Sequence, residues 1–94
     1  ADAETMRELA SKLVEKERVV ALLGVRNGAS CAFVFGRSRD LTLDMGALLR
    51  TAAKAFGGKG GGKPDFAQGG GREEILAAAR ENLKNQMENE HAEL

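Results

Sequence analysis

The sequence has no tryptophan or tyrosine, only four phenylalanines, and one histidine, one cysteine and one proline. Each scarcity excludes something. The lone histidine, His91, stands near the end of the chain, and no Ser–His–Asp set can be assembled around it. The lone cysteine, Cys31, rules out an internal disulfide and a cysteine-rich zinc site, and it fits a reducing, cytoplasmic compartment. Its apolar neighbours make it a small core residue. Few aromatics mean few stacking platforms. Phe33, Phe35 and Phe56 fall among core residues, which leaves Phe66 as the candidate to stack on a base. Sequence-specific reading of a single strand is therefore not indicated. No apolar run approaches the roughly 20 residues that span a bilayer, and no secretory signal is visible, so no membrane partner is expected. Asp40, Asp44 and Asp65 suit capping and turns better than a metal, and neither a metal nor another cofactor is expected.

What is present describes one folded domain. The 94 residues are 43% apolar, enough for a modest core with a large surface fraction. The chain does not begin with methionine and opens on the helix-like "ADAETMRELA"; the expectation is a single domain, residues 1–94, cut from a longer protein. Net charge is zero, but residues 18–72 hold nine basic and three acidic residues between two acidic ends. A neutral protein with that distribution can still present an anion-binding face.

Periodicity gives the elements. Met6, Leu9, Ala10, Leu13 and Val14 recur at helical spacing over roughly residues 3–16. "RVVALLGV" and "SCAFVFG" read as strands covered on both faces, joined at Asn27-Gly28, a hairpin turn signal. Asp44 or Thr42 can cap the next helix, whose inward stripe is Met45, Leu48, Leu49, Ala52, Ala53 and Phe56, with Gly57 ending it in the left-handed conformation. "PDFAQ" is a short strand between two flexible glycine stretches. "REEILAAARENLKNQM" is a closing helix with Ile75, Leu76, Ala79, Leu83 and Met87 inward. The expected fold is α/β of the α+β kind: a small mixed sheet with a hairpin, packed by helices, in the order α-β-β-α-β-α.

The stretch that needs a reason is "GGKGGGKPDFAQGGG", in which eight of fifteen residues are glycine. Glycine raises the entropic cost of folding, so such a segment stays disordered unless bare backbone is required. Residues 57–63 match G-x-x-x-x-G-K formally, but Pro64 stands where a phosphate-binding loop needs Ser or Thr, and a helix precedes in place of a strand. A nucleotide-hydrolysing site is not expected. The alternatives are close packing and an anion site, in which consecutive N–H groups and the ammonium groups of Lys59 and Lys63 face a phosphate backbone. Gly69, Gly70 and Gly71 would add orphan N–H groups before a helix N-terminus. Arg37 and Arg39, with Ser38, leave the second strand together and are further candidates for phosphates or bases; solvated loop arginines are the bland alternative.

This stretch resembles the signature of the DHH-associated C-terminal domain found in alanyl-tRNA synthetases, alanyl-tRNA editing proteins and related phosphoesterases. The resemblance runs over nearly the whole chain, from "MRELASKL" to the closing helix. It implies tRNA binding at the tRNA elbow, alanine-specific through the parent protein, with catalytic domains elsewhere in the same parent chain and sometimes self-association into a homodimer. The Asp-His-His motif of the phosphoesterases and the paired-histidine metal motif of the editing domains are both missing, so no catalytic residue carries over. The expected nucleic-acid-binding residues are Gly57, Gly58, Lys59, Gly60, Gly61, Gly62, Lys63, Asp65, Gln68, Gly69 and Gly70, with Pro64 in the frame and Arg37, Arg39 and Arg72 nearby. An oligomerisation role, with the glycines serving packing, and the substrate-gripping half of a phosphoesterase are the alternatives.

Overall fold

In the structure, a computed structural model describing residues 3–92, seven elements follow in the order α1 (Ala3–Leu13), β1 (Val20–Asn27), β2 (Ser30–Arg37), α2 (Met45–Ala55), β3 (Lys59–Gly62), β4 (Phe66–Gly71) and α3 (Glu74–Ala92). The α+β class expected from the sequence holds, with one strand more than the spacing suggests. The four strands form one sheet in the order β1-β2-β4-β3. Every pairing is antiparallel, so the sheet is not mixed.

The β1–β2 hairpin turns one residue later than the Asn-Gly signal suggests. Asn27 pairs with Ser30, which makes Gly28 and Ala29 the two turn residues. Gly28 has φ +68° while Ala29 has no positive φ. Glycine first and an ordinary residue second is the pattern of a type II′ turn, whose twist matches that of the strands.

Two clusters sandwich the sheet. On one face α2 and α3 bring Met45, Leu48, Leu49, Ala52, Ala53, Ile75 and Ala79 onto Phe33, Phe35 and Ala67. On the other, α1 lays Met6 and Ala10 on Val34, with Leu23, Val25, Ala32 and Phe66 around them. Alternation along β2 explains the division, since Phe33 and Phe35 point one way and Val34 the other. Phe66 is half-buried under α1 and is part of this packing, not a free stacking surface. Two residues expected inside lie largely outside: Leu9 is 49% and Met87 45% exposed. Each sits on a helix whose inward stripe is already filled by its neighbours.

Asp44 is the cap of α2. Its carboxylate accepts from the Ala47 N–H at 3.0 Å, an interaction typically worth about 1 kcal/mol. Gly57 closes the helix with φ +71°, as its place after the last apolar residue predicts. The chain then enters β3 directly. The expectation of two flexible glycine stretches fails: Lys59–Gly62 is paired with Phe66–Gly71 from Lys59↔Gly70 to Gly62↔Ala67. Their hairpin is tight. Lys63 N–H donates to the Phe66 carbonyl at 2.9 Å and Phe66 N–H returns to the Lys63 carbonyl at 3.3 Å, which leaves Pro64 and Asp65 at the tip.

Candidate nucleic-acid interface

Most of the glycines in the hairpin are explained by what lies against them. A Cβ on Gly60 would meet Leu49 Cγ at 2.7 Å, and one on Gly69 would stand 2.4 Å from the Lys59 carbonyl oxygen. A Cβ on Gly58 or Gly71 would meet Ile75 Cδ1 at 2.6 or 2.7 Å. Leu49 and Ile75 are fully buried, so the helices rest on bare backbone. Packing therefore accounts for Gly58, Gly60, Gly69 and Gly71.

The hydrogen-bond ladder limits what the backbone can offer a ligand. β4 is an inner strand, paired with β2 on one side and β3 on the other. The N–H and C=O groups of Gly69 and Gly70 are directed into those ladders. Gly69–Gly71 is thus strand, and α3 begins only at Glu74. The expected cluster of free N–H groups at that helix start is not formed by these glycines. On β3 the situation differs. Lys63 and Phe66 exchange both of their hydrogen bonds, so alternation makes Gly61–Gln68 and Lys59–Gly70 the next such pairs. The peptide groups of Gly60 and Gly62 then point away from β4, and the Gly62 backbone there lies against Gly46 of α2.

The side chains sort into three places. Lys59 and Lys63 are exposed on β3 and at its turn, roughly 13 Å apart along an extended strand. Gln68 is exposed on the same face as Lys59, and its amide oxygen accepts from Arg7 Nη1 at 3.0 Å. Arg50, on α2, has Nη1 3.2 Å from where a Gly61 Cβ would stand. The sequence pattern did not single out Arg7 or Arg50; only strand register and helix placement bring them to the hairpin.

Arg37, Arg39 and Asp65 lie elsewhere, on an open groove of about 520 Å³ beside the turn, shared with Lys16, Glu17 and Asp40. Arg37 is not free: its Nε donates to the Leu43 carbonyl and its Nη1 to the Ser38 carbonyl at 3.1 Å. It braces the loop before α2. Arg39 is exposed. Arg72 lies beyond the far end of β4 from Asp65, a run of roughly 20 Å. It pairs with Glu74 at 2.5 Å and lies over the Phe56 ring at 5.9 Å. The three arginines and the hairpin do not converge on one spot.

Beside the groove, the Asp40 carboxylate is held below the usual range, first by a hydrogen bond from the Ser38 hydroxyl and then by the Arg18 N–H. The Arg18 N–H reaches its two oxygens at 3.2 and 3.1 Å. Ser38 Oγ in turn accepts from the Val19 N–H at 3.1 Å. This clamp holds Arg18 in the left-handed region, φ +57°, and fixes how α1 enters the sheet.

Among the described residues, no group of three His, Cys, Asp or Glu side chains is placed to hold a metal. No helix there is long and apolar enough to cross a membrane. Cys31 is half-buried at the edge of the core. His91 falls outside the residues whose side chains are described.

Comparison with known proteins agrees with this architecture. The chain is 41% identical over 76 residues to an alanine–tRNA ligase of Leptospira interrogans, which covers 77% of this chain and 8% of that protein. It is 38% identical over 92 residues to the alanine–tRNA ligase of Burkholderia mallei, covering 94% of this chain and 10% of that one. It thus spans about a tenth or less of these relatives. The crystal structure of the C-Ala domain from Aquifex aeolicus alanyl-tRNA synthetase superposes with a TM-score of 0.79 at 30% identity, over 90% of this chain and 80% of that one. The DHHA1 domain family matches residues 1–89, and the chain belongs to that family.

Proposed function

We propose that the chain is a noncatalytic tRNA-binding domain of an alanine–tRNA ligase. It holds the tRNA backbone at the β3–β4 hairpin and helps present the acceptor end to catalytic domains in the same parent chain, in the cytoplasm. The observation that carries this reading is the hairpin itself. Lys59 and Lys63 are exposed on a strand whose other residues lack side chains, so a phosphate backbone can approach without obstruction. The likeness to alanine–tRNA ligases supports tRNA as the nucleic acid, and alanine specificity comes from that likeness alone. Backbone contacts of this kind recognise shape and charge, not base sequence.

The test is the double variant Lys59→Ala/Lys63→Ala. It lowers affinity about equally for different tRNAs and flattens the salt slope by about 1.4–1.8 units if each lysine meets one phosphate. Unchanged affinity and slope would remove the hairpin from the interface. A second reading, self-association, draws on the exposed Leu9 and Met87. Sedimentation of the free domain decides it: a monomer at high concentration removes it.

A further inference from the structure

Three of the eight arginines are already committed by their side chains. Arg26 is paired with Glu73, Arg72 with Glu74, and Arg37 with loop carbonyls. Of the arginines with no salt bridge to a carboxylate among the described residues, Arg7 and Arg50 stand out by position. Both are positioned at one cross-strand pair. Gln68, which holds Arg7, is registered opposite Gly61, which Arg50 approaches. Two guanidinium groups, one from α1 and one from α2, therefore flank Gly61↔Gln68.

The partner of Arg7 matters. A neutral amide orients a guanidinium without cancelling its charge, and a guanidinium has five N–H donors, most of them left over here. Glu4 and Glu8 lie on the same helix and neither pairs with Arg7 among the described residues. Arg50 belongs to a wholly positive run, since no acidic residue occurs between Met45 and Pro64. Arg50 is exposed and Arg7 only half-buried, so both guanidinium groups are within reach of a ligand. Aimed beside a strand that lacks side chains, the pair suits the planar, two-oxygen face of a phosphodiester.

We infer that Arg7 and Arg50 are phosphate-binding residues that grip the RNA backbone over the Gly61–Gln68 pair, with Gln68 positioning Arg7. This rests on the RNA-binding reading above and extends it to two residues on helices outside the glycine stretch.

The experiment measures binding of an alanine tRNA transcript across a salt series, for the unaltered chain, Arg7→Gln, Arg50→Gln, the double variant, and Arg26→Gln as a control whose charge is already paired. The double variant weakens binding by about tenfold or more at moderate salt and flattens the slope by roughly 1.4–1.8 units, with each single variant giving about half the slope change. Arg26→Gln stays within about twofold. Arg7→Lys and Arg50→Lys separate charge from folding: they keep most of the salt slope if phosphate contact is the role. Lysine variants that lose the slope as fully as the glutamine variants would overturn the inference. So would a double variant that binds like the unaltered chain, and that result leaves the RNA-binding reading standing. No salt-dependent binding by the unaltered chain would overturn both.

Discussion

Gly46 and Gly62 lie back to back, and neither can take a side chain. A Cβ on Gly46, in the first turn of α2, would stand 2.6 Å from the Gly62 carbonyl oxygen, and one on Gly62 would stand 2.6 Å from the Phe66 carbonyl oxygen. The helix thus rests on the backbone of the edge strand. This contact seats α2 on β3 and brings Arg50 beside Gly61.

Gly46→Ala is predicted to destabilise the domain although helix propensity favours alanine by about 1 kcal/mol. The clash is with backbone, which cannot rotate away, and overpacking of this kind costs about 1–3 kcal/mol. Urea unfolding reads the outcome as a lower midpoint with an unchanged slope. A higher midpoint would mean that α2 does not sit directly on β3.

Gly60 behaves differently, because the atoms nearest to a Cβ there all belong to the Leu49 side chain. Leu49→Ala alone opens a cavity and costs about 2–5 kcal/mol. In that background Gly60→Ala costs less than it does in the unaltered protein, since its obstacle is gone. A double-mutant cycle measures the coupling, expected at about 0.5–3 kcal/mol. Additive effects would contradict the packing.

Gly61→Ala tests ligand contact and folding together. Its new Cβ would displace the tip of Arg50, 3.2 Å away, and a side-chain tip moves more cheaply than backbone. Gly61 also has φ +159°, where an L side chain is strained whatever the space, so Gly61→Ala lowers stability through the backbone as well, and tRNA affinity drops beyond that loss. Thermal melting alongside a binding titration separates the two. A loss of stability equal to that of Gly46→Ala, with affinity kept, would make Gly61 a packing residue only.

Much of this was legible in advance, and the misses have physical causes. The helical spacing of α2, the Asp44 cap, Gly57 and the two apolar strands follow from local rules. β3 does not: "KGGG" has no intrinsic preference for a strand, and it becomes one because β4 offers a ladder and Leu49 leaves no room for side chains. Gly69 and Gly70 read as free amides for the same reason, since nothing local marks the second neighbour of β4. Arg7 lies 61 residues from Gln68 in the chain, and no local pattern relates them. Arg37 is the last residue of β2, paired with Val20, and its role in bracing the loop depends on carbonyls that only the fold supplies.

Asp40 gives a pH prediction. Its carboxyl is held below its ordinary value, chiefly by the Ser38 hydroxyl and then by the Arg18 N–H. A lowered folded-state value means the charged form favours the fold. The contribution is whole at about pH 5 and above, and it fades as pH falls through about 4 and below. Asp40→Asn therefore lowers the melting temperature at neutral pH, and the gap to the unaltered protein narrows as pH drops toward 3. A gap that stays constant or widens on acidification would contradict the clamp between Arg18, Ser38 and Asp40.

The central claim is that the β3–β4 hairpin holds tRNA by its backbone. The most direct measurement is a titration of this chain with alanine tRNA and with an unrelated tRNA, each at two salt concentrations. The account predicts saturable binding that weakens steeply with salt and is similar for both tRNAs, because phosphates and not bases are gripped. No binding even at low salt would contradict it and leave the glycines with packing as their whole purpose.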